Sequence, residues 1–141
     1  MILKEEKRNL FDVGNEYHLA HCISSDCKMG AGIAVEFQKR YKLRNILLNK
    51  YNEEERKHPT CIFEKSVLNL ITKEKYWHKP TYQTLQTSLI VMRRIVVTDK
   101  IKYIAMPKLG CGLDRLQWGK VREIVYETFK DLDGEILVCY I

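Results

Sequence analysis

Long apolar runs, proline and paired cysteines are all scarce in this sequence of 141 residues. It contains no apolar run of about 18 residues, the length that a transmembrane helix needs. The first ten residues, MILKEEKRNL, lack the apolar segment of a secretory signal. We therefore expect an intracellular protein, in the cytoplasm or the nucleus, that does not associate with membranes.

Cysteine usage excludes two further classes of protein. The five cysteines are Cys22, Cys27, Cys61, Cys111 and Cys139, an odd and scattered set without the CxxC or Cys/His spacing of a zinc site. Reduced thiols fit an intracellular protein better than a disulfide framework does. We expect no disulfides, no metal and no cofactor.

What remains is the composition of a folded domain that carries excess positive charge. Hydrophobic residues make up 45% of the chain, and only three prolines and seven glycines occur, which excludes disordered and collagen-like chains. The length predicts one domain, residues 1–141, and nothing points to an oligomer, so we expect a monomer. The net charge of +6 suits an anionic ligand such as a nucleotide or a nucleic acid, but the excess is spread along the chain.

Short apolar runs of the β type alternate with segments of helical period. The predicted strands are 17–23, 61–63, 67–72, 102–106 and 136–141. The predicted helical segments are 33–51 with a break near Lys42, a helix opened by Pro80, and 118–132. This alternation implies crossover connections, and it predicts a three-layer α/β/α domain with a mixed, largely parallel central sheet.

Two glycine-containing loops each follow a predicted strand and precede a predicted helix. They are 24–33 (SSDCKMGAGI) and 107–116 (PKLGCGLDRL). Glycines allow the backbone to approach a ligand closely, and a helix N-terminus favours anions. The first loop lacks the Lys-Ser/Thr ending of a Walker loop, and by itself it could be only a tight turn. Two such loops at one edge of a sheet predict a ligand with two linked phosphates.

Three reactive side chains lie in or near these segments. Lys73 follows a strand directly and could be a nucleophile, although an arbitrary lysine there is more often solvated. Asp114 could act in proton transfer, or it could be a turn residue or helix cap. Cys111 could be a thiol nucleophile, but a small side chain that fits a tight loop is the preferred interpretation. Sequence spacing alone does not show that Lys73 and Asp114 meet.

One histidine and both tryptophans are interpreted as structural residues. His21 lies inside an apolar strand, where a hydrogen-bonded core histidine is the default. Trp77 and Trp118 are interpreted as packing residues rather than as platforms for stacked bases.

The sequence resembles the macrodomain family, in particular its branch of terminal ADP-ribose protein glycohydrolases. Three segments carry the resemblance: LAHCISSDCKMGAGIAVEF (19–37), LITKEKYWHKPTYQTLQTSL (70–89) and MPKLGCGLDRLQW (106–118). Together with the chain ends, the likeness spans nearly the whole sequence. It implies a macrodomain fold, ADP-ribose as ligand, and hydrolysis of ADP-ribose from a modified target.

The resemblance also implies a set of functional residues. Lys73 matches the lysine that attacks the anomeric carbon of the distal ribose, and Asp114 matches the aspartate that assists proton transfer and resolves the covalent intermediate. The implied ADP-ribose contacts are Asn9, Leu10, His21, Ser24, Met29, Gly30, Ala31, Gly32, Ile33, Pro107, Lys108, Leu109, Gly110, Cys111, Gly112, Leu113, Cys139 and Ile141.

Two positions depart from the family pattern, and both concern the adenine. Asn9 stands where family members have an aspartate that binds the adenine amino group. Cys139 aligns with a tyrosine of the final strand, and Tyr140, one residue later, is expected on the opposite face. These departures leave the distal-ribose chemistry untouched.

Two functions from different classes follow. The first is an enzyme that removes mono-ADP-ribose from a protein Glu or Asp, from O-acyl-ADP-ribose or from a DNA base, with ADP-ribosylated protein or DNA as its partner. The alternative is a module that binds ADP-ribose without cleaving it. The presence of both Lys73 and Asp114 favours the enzyme, because a binding module needs neither. Nucleic-acid binding unrelated to ADP-ribose rests on charge alone and ranks last.

Overall fold

A central sheet organises the computed structural model, which describes residues 1–141. Its strands are β1 (Ile2–Lys7), β2 (His18–Ser24), β3 (Thr60–Glu64), β4 (Val67–Lys73), β5 (Tyr103–Met106) and β6 (Glu135–Tyr140). The spatial order is β1-β6-β5-β2-β4-β3, and only β3, which forms a hairpin with β4, runs antiparallel to its neighbour. The predicted mixed, largely parallel sheet is confirmed.

Helices cover both faces of this sheet. They are α1 (Ile33–Tyr41), α2 (Leu43–Lys50), α3 (Tyr82–Thr98) and α4 (Trp118–Phe129). On one face α3 and α4 bury Leu89, Met92 and Val125, and on the other α1 and α2 bury Phe37 and Leu47. The predicted three-layer α/β/α architecture is therefore confirmed. None of the helices combines the length and the apolar character needed to span a membrane.

Burial on both faces explains why the central strands are almost continuously apolar. In β4, the residues from Val67 to Thr72 are all buried, and Lys73 is the first that is partly exposed. A parallel strand with helices on both sides has no solvent face, so its sequence does not alternate. The boundary between Thr72 and Lys73 is thus the point where the chain leaves the core.

The sequence pattern missed β1 because β1 is an edge strand. Its side chains are mostly exposed and four of its six residues are charged, so it lacks an apolar signature. It pairs in parallel with β6, from Ile2 opposite Glu135 to Lys7 opposite Tyr140. Backbone hydrogen bonds rather than side-chain burial define this strand.

Helix boundaries differ from the prediction in one place and agree in another. Pro80 does not open α3, because Thr81 is the N-cap, and the Thr81 and Thr84 side chains each accept from the other residue's backbone N–H. This capping box determines where the helix begins. The predicted break near Lys42 is confirmed, since Lys42 adopts a left-handed conformation (φ 56°) between α1 and α2.

The two tryptophans occupy different environments. Trp118 packs partly against the core and its Nε1 donates to Glu5 at 2.9 Å, which agrees with a packing role. Trp77 is 67% exposed and its ring lies edge-on to His78, so its predicted packing role is not that of a buried residue. It lies on the connection between β4 and α3, outside both layers of helices.

His21 is a core residue, and its assignment as a ligand contact stays a prediction. The side chain is fully buried, stacks on Phe37 with ring centroids 3.8 Å apart, and contacts Asn69 Oδ1 through Nε2 at 2.7 Å. The Asn69 amide donates to the carbonyls of Ile62 and Val67, so its oxygen is the acceptor for His21. Burial lowers the pKa of His21 to about 4, although the Asn69 hydrogen bond opposes this shift.

Acid should therefore destabilise the fold through His21. The unfolded chain binds a proton near pH 6.5 and the folded chain near 4, so stability falls as the pH drops through this range. Between pH 7 and 5 the loss from this group should be about 2 kcal/mol. Urea unfolding of wild type and His21→Gln at both pH values measures it. An equal pH-dependent loss in both proteins would contradict this role, since glutamine does not titrate.

Candidate active site

One cavity of about 990 Å³ lies across the carboxyl ends of β2, β4, β5 and β6. From β4 to β6 the sheet spans three strand spacings, which is about 14 Å. Residues of the β4 end, including Lys73, line one side, and Tyr140 and Ile141 of the β6 end line the other. The volume is in the range of a small-molecule site, and the elongated shape suits an extended ligand.

The first glycine loop, between β2 and α1, forms one wall of the cavity. Ser24 and Met29 are buried, while Gly30, Ala31 and Gly32 are exposed along the wall. Gly32 precedes α1 with φ 62° and ψ −151°, a conformation essentially restricted to glycine. No side chain caps α1, and Val35 N donates to Gly32 O, so the N–H groups of Ile33 and Ala34 are the ones free for an anionic group in the cavity.

Asp26 holds this loop against the loop that follows β4. Its carboxylate accepts from the Ser24 hydroxyl, from Lys28 N at 3.1 Å and from Tyr76 N at 3.1 Å. Burial by itself would raise the pKa of Asp26, but these hydrogen bonds outweigh burial and the pKa lies below its usual value. Asp26 is thus a structural anion that connects the first glycine loop to the segment after β4.

The second glycine loop, between β5 and α4, forms the opposite wall. Gly110 has φ 70°, a conformation that favours glycine, and a Cβ there would approach Leu116 Cδ1 to 2.8 Å, so the leucine side chain would have to shift. The Cys111 thiol donates to Leu109 O at 3.3 Å, and burial raises its pKa. A neutral, hydrogen-bonded thiol is a poor nucleophile, which agrees with the interpretation of Cys111 as a small residue in a tight loop.

Lys73 and Asp114 meet at the β4 side of the cavity. Lys73 Nζ lies 2.6 Å from Asp114 Oδ1, and each side chain is only 14% exposed. The backbone beneath Lys73 is fixed, because its carbonyl accepts from Ser25 N at 2.9 Å. Two residues separated by 41 positions in sequence thus form a hydrogen-bonded ion pair that the sequence alone did not establish.

This pair has the components of nucleophilic catalysis. An ammonium group is not nucleophilic, but a carboxylate within hydrogen-bond distance can accept its proton. Both groups line the cavity, so a ligand seated there would present its atoms to the amine. Nowhere in the structure do three or more His, Cys, Asp or Glu side chains converge as metal ligands.

Most residues assigned to the ligand from sequence line the cavity. They are Ser24, Met29, Gly30, Ala31, Gly32, Ile33, Lys73, Pro107, Lys108, Leu109, Gly110, Cys111, Gly112, Leu113, Asp114, Cys139 and Ile141. Their contacts with ADP-ribose stay predictions, but the fold brings both loops and the final strand to one space.

Three assigned residues lie outside this lining. His21 is buried beneath the sheet surface, and Leu10 is buried in the core cluster of α1 and α2. Asn9 directs its Oδ1 to Phe11 N at 2.9 Å and caps the short 3₁₀ helix Leu10–Asp12. Its predicted contact with the adenine amino group would have to use the second lone pair of this same oxygen.

The cavity also includes residues that sequence reasoning did not assign. They are Cys22, Ile23, Lys28, Ala34, Tyr76, Lys79, Arg115 and Tyr140. Tyr140 and Cys139 belong to opposite faces, as expected, yet both reach the cavity because the strand ends there. Lys108 Nζ lies 4.6 Å from the centroid of the Tyr140 ring. Tyr76 and Lys79 are close to Lys73 in sequence, and this proximity was the available signal.

Comparison with solved structures defines the fold class. The macrodomain of Mycobacterium tuberculosis DarG superposes with a TM-score of 0.90 at 20% identity, covering 99% of this chain and 98% of that chain. Thermosipho africanus DarTG in complex with ADP-ribose gives a TM-score of 0.84 at 16% identity, covering 99% of this chain and 42% of that chain. The fold is a macrodomain. No protein-family model matches the sequence.

Sequence comparison gives the family. Human ADP-ribose glycohydrolase OARD1 is 40% identical over 135 residues, which are 94% of this chain and 87% of the relative. The bovine protein of the same name is 39% identical over the same coverage. The chain therefore belongs to the ADP-ribose glycohydrolase family of macrodomains. At the level of the family, the prediction of a hydrolase is confirmed.

The backbone at Gly32 provides a test of how the first loop is built. Gly32→Ala should cost about 1–3 kcal/mol of stability, because a Cβ strains this conformation. Gly30→Ala is the matched control, since φ is not positive there and a Cβ would meet only Lys28 atoms at 3.7 Å and beyond. Urea unfolding of both variants gives the comparison. Equal stability of the two would show that the loop does not hold Gly32 in its left-handed conformation.

Proposed function

We propose that this protein binds ADP-ribose between its two glycine loops and hydrolyses the bond between the distal ribose and an acceptor. The observation that carries the proposal is the Lys73–Asp114 pair, 2.6 Å apart at one side of the cavity. Relatives named ADP-ribose glycohydrolase support the reaction class. A structural neighbour in complex with ADP-ribose supports the ligand.

The diphosphate is placed across the cavity between its two glycine-loop walls. The uncapped N-terminus of α1 supplies free N–H groups and a positive dipole end on one side. The backbone around Gly110 and Gly112 lies on the other side, where small residues permit close approach. The distal ribose then lies beside Lys73 and the adenine beside Tyr140.

The first half of the reaction transfers the ribose to Lys73. Asp114 accepts a proton from the Lys73 ammonium, and the neutral amine attacks the anomeric carbon. The bond from that carbon to the acceptor breaks, and its electron pair leaves with the acceptor atom. Asp114 delivers its proton to this leaving atom, so that it is a carboxylate again and the ribose is bonded to Lys73.

The second half releases the product. Asp114 accepts a proton from water, whose oxygen attacks the anomeric carbon, and the carbon–nitrogen bond to Lys73 breaks with its electron pair on nitrogen. Asp114 then returns the proton to Lys73, which restores the ion pair. One water is consumed, and free ADP-ribose and the protonated acceptor are formed.

The acceptor belongs to one of three classes: a protein Glu or Asp, an acyl group of O-acyl-ADP-ribose, or a base in DNA. A carboxylate acceptor is a good leaving group, which suits displacement by an amine. A DNA acceptor is favoured by the exposed Lys28 and Arg115 beside the cavity, because phosphate contacts come from such side chains.

Removing the nucleophile should abolish turnover without abolishing binding. Lys73→Ala should lower release of ADP-ribose by at least about 10³-fold, within the range for loss of a principal catalytic group, while ADP-ribose affinity stays largely unchanged. Two substrates are compared, a Glu-modified protein and ADP-ribosylated single-stranded DNA. Lys75→Ala, an exposed lysine two residues away, is the matched control.

The outcomes separate the two classes of function. Full activity of Lys73→Ala would rule out the covalent lysine. Binding of ADP-ribose without cleavage of either substrate by the wild-type protein would favour the non-catalytic binding module. Preference for one substrate identifies the acceptor class.

Removing Asp114 should trap the intermediate. Asp114→Ala should release ADP-ribose about 10²-fold more slowly, because Asp114 serves both halves of the reaction. An adduct on Lys73 should accumulate, because solvent can take the Lys73 proton in the first half whereas no base activates water in the second. Intact-mass analysis after an acid quench detects the added ADP-ribosyl group. The double variant Lys73→Ala/Asp114→Ala is the control and should carry none. A slow Asp114→Ala enzyme without adduct would argue against the resolving role.

A further inference from the structure

The turn that carries Asp114 is held mainly by bonds within itself. Arg115 N donates to Gly112 O at 3.1 Å and Leu116 N donates to Gly110 O at 2.8 Å, which closes two local turns. Neither bond connects the turn to the sheet or to a helix. These backbone bonds therefore shape the turn, but they do not determine the distance between Asp114 and the Lys73 amine.

Lys79 provides a contact between this turn and another element. Its Nζ donates to the carbonyl of Leu113 at 2.7 Å, one residue before Asp114. The Leu113 side chain is 62% exposed, so side-chain packing contributes little to holding this position. A hydrogen bond from an ammonium group is shorter and stronger than one between neutral partners, and this one lies on the backbone next to Asp114.

The backbone on both sides of Lys79 is held by hydrogen bonds or burial. On one side His78 closes a turn with Lys75, with His78 N donating to Lys75 O at 3.0 Å and Lys75 N donating to His78 Nδ1 at 3.2 Å. On the other side Pro80 is buried, and Thr81 is the N-cap of α3. The lysine thus joins the start of a long core helix to the turn of Asp114.

The Lys73–Asp114 ion pair also holds this turn, but only while Lys73 is free. In the covalent intermediate one N–H position of Lys73 is replaced by the bond to the ribose, and the nitrogen lies where the substrate holds it. The contact from Lys79 does not change during this step. It then still holds the residue next to Asp114, while the end of the turn is held by the bond from Gln117 N to the Tyr82 hydroxyl at 3.0 Å.

We propose that Lys79 is a positioning residue for Asp114 and acts mainly in the second half of the reaction. This inference rests on the proposed function, since it needs a lysyl intermediate that Asp114 resolves. Without the contact from Lys79, Asp114 moves away from the line along which water attacks. Displacement by about 1 Å can cost as much as 10²-fold in rate.

The test compares Lys79→Met with Lys79→Arg, which keeps a charged donor, and with Lys75→Met, an exposed lysine of the same loop. We expect kcat of Lys79→Met to fall 10- to 100-fold, on the order allowed by such a displacement. KM should fall with it because the intermediate accumulates, so that kcat/KM and ADP-ribose affinity stay within about twofold of wild type. The fraction of enzyme carrying the Lys73 adduct at steady state should rise. Lys79→Arg should recover much of the rate, and Lys75→Met should resemble wild type.

Each other outcome has a distinct meaning. A Lys79→Met enzyme with wild-type kcat and no adduct, beside an inactive Lys73→Ala, would overturn the role of Lys79 alone. A raised KM at unchanged kcat would also overturn it, since Lys79 would then bind ligand. Full activity of Lys73→Ala would overturn the proposed function and this inference with it. Thermal unfolding checks that the variants fold, and Lys79→Gln replaces Lys79→Met if methionine lowers the midpoint.

Discussion

Parallel strand pairing is the constraint on which the site depends. β2 pairs in parallel with β4 and β5, and β5 pairs in parallel with β6, so all four carboxyl ends emerge at the same edge of the sheet. Each connection must return over a face of the sheet, which places helices on both sides. Loops far apart in sequence therefore become neighbours, and Lys73 and Asp114 meet across 41 positions.

The Lys73–Asp114 pair is better understood through reactivity than through stability. Both side chains are largely removed from water, and the desolvation of two such charges offsets much of their attraction. What the arrangement provides is a proton acceptor within hydrogen-bond distance of an amine, in a cavity that holds the reacting atoms. An ion pair at the edge of the core is thus consistent with a fold that gives up some stability for chemistry.

The loops around the pair are joined to one another rather than built separately. Asp26 connects the first glycine loop to the segment after β4, and Lys79 connects that segment to the turn of Asp114. The segment from Glu74 to Lys79 thus contacts both walls of the cavity. Irregular segments with few buried side chains gain order in this way, through hydrogen bonds to charged groups.

The sequence by itself determined the elements that bury apolar side chains and the chemical character of the site. Apolar runs and helical periods located α1 to α4 and every strand except β1, whose charged side chains carry no core signal, and they missed the short 3₁₀ helix Leu10–Asp12. The two glycine loops and Lys73 were visible because their residue types are unusual at strand ends. Motif resemblance supplied the pairing with Asp114, which spacing could not.

Only the tertiary structure decided which side chains face the cavity. It placed His21 in the core, directed Asn9 to a helix cap, and brought Tyr140 and Lys79 to the site. The physical reason is that contacts across the sheet depend on register and loop conformation, and local sequence specifies neither. The type of a residue limits the chemistry available to its side chain, and the neighbours that the fold gives it determine whether that chemistry is used at the site.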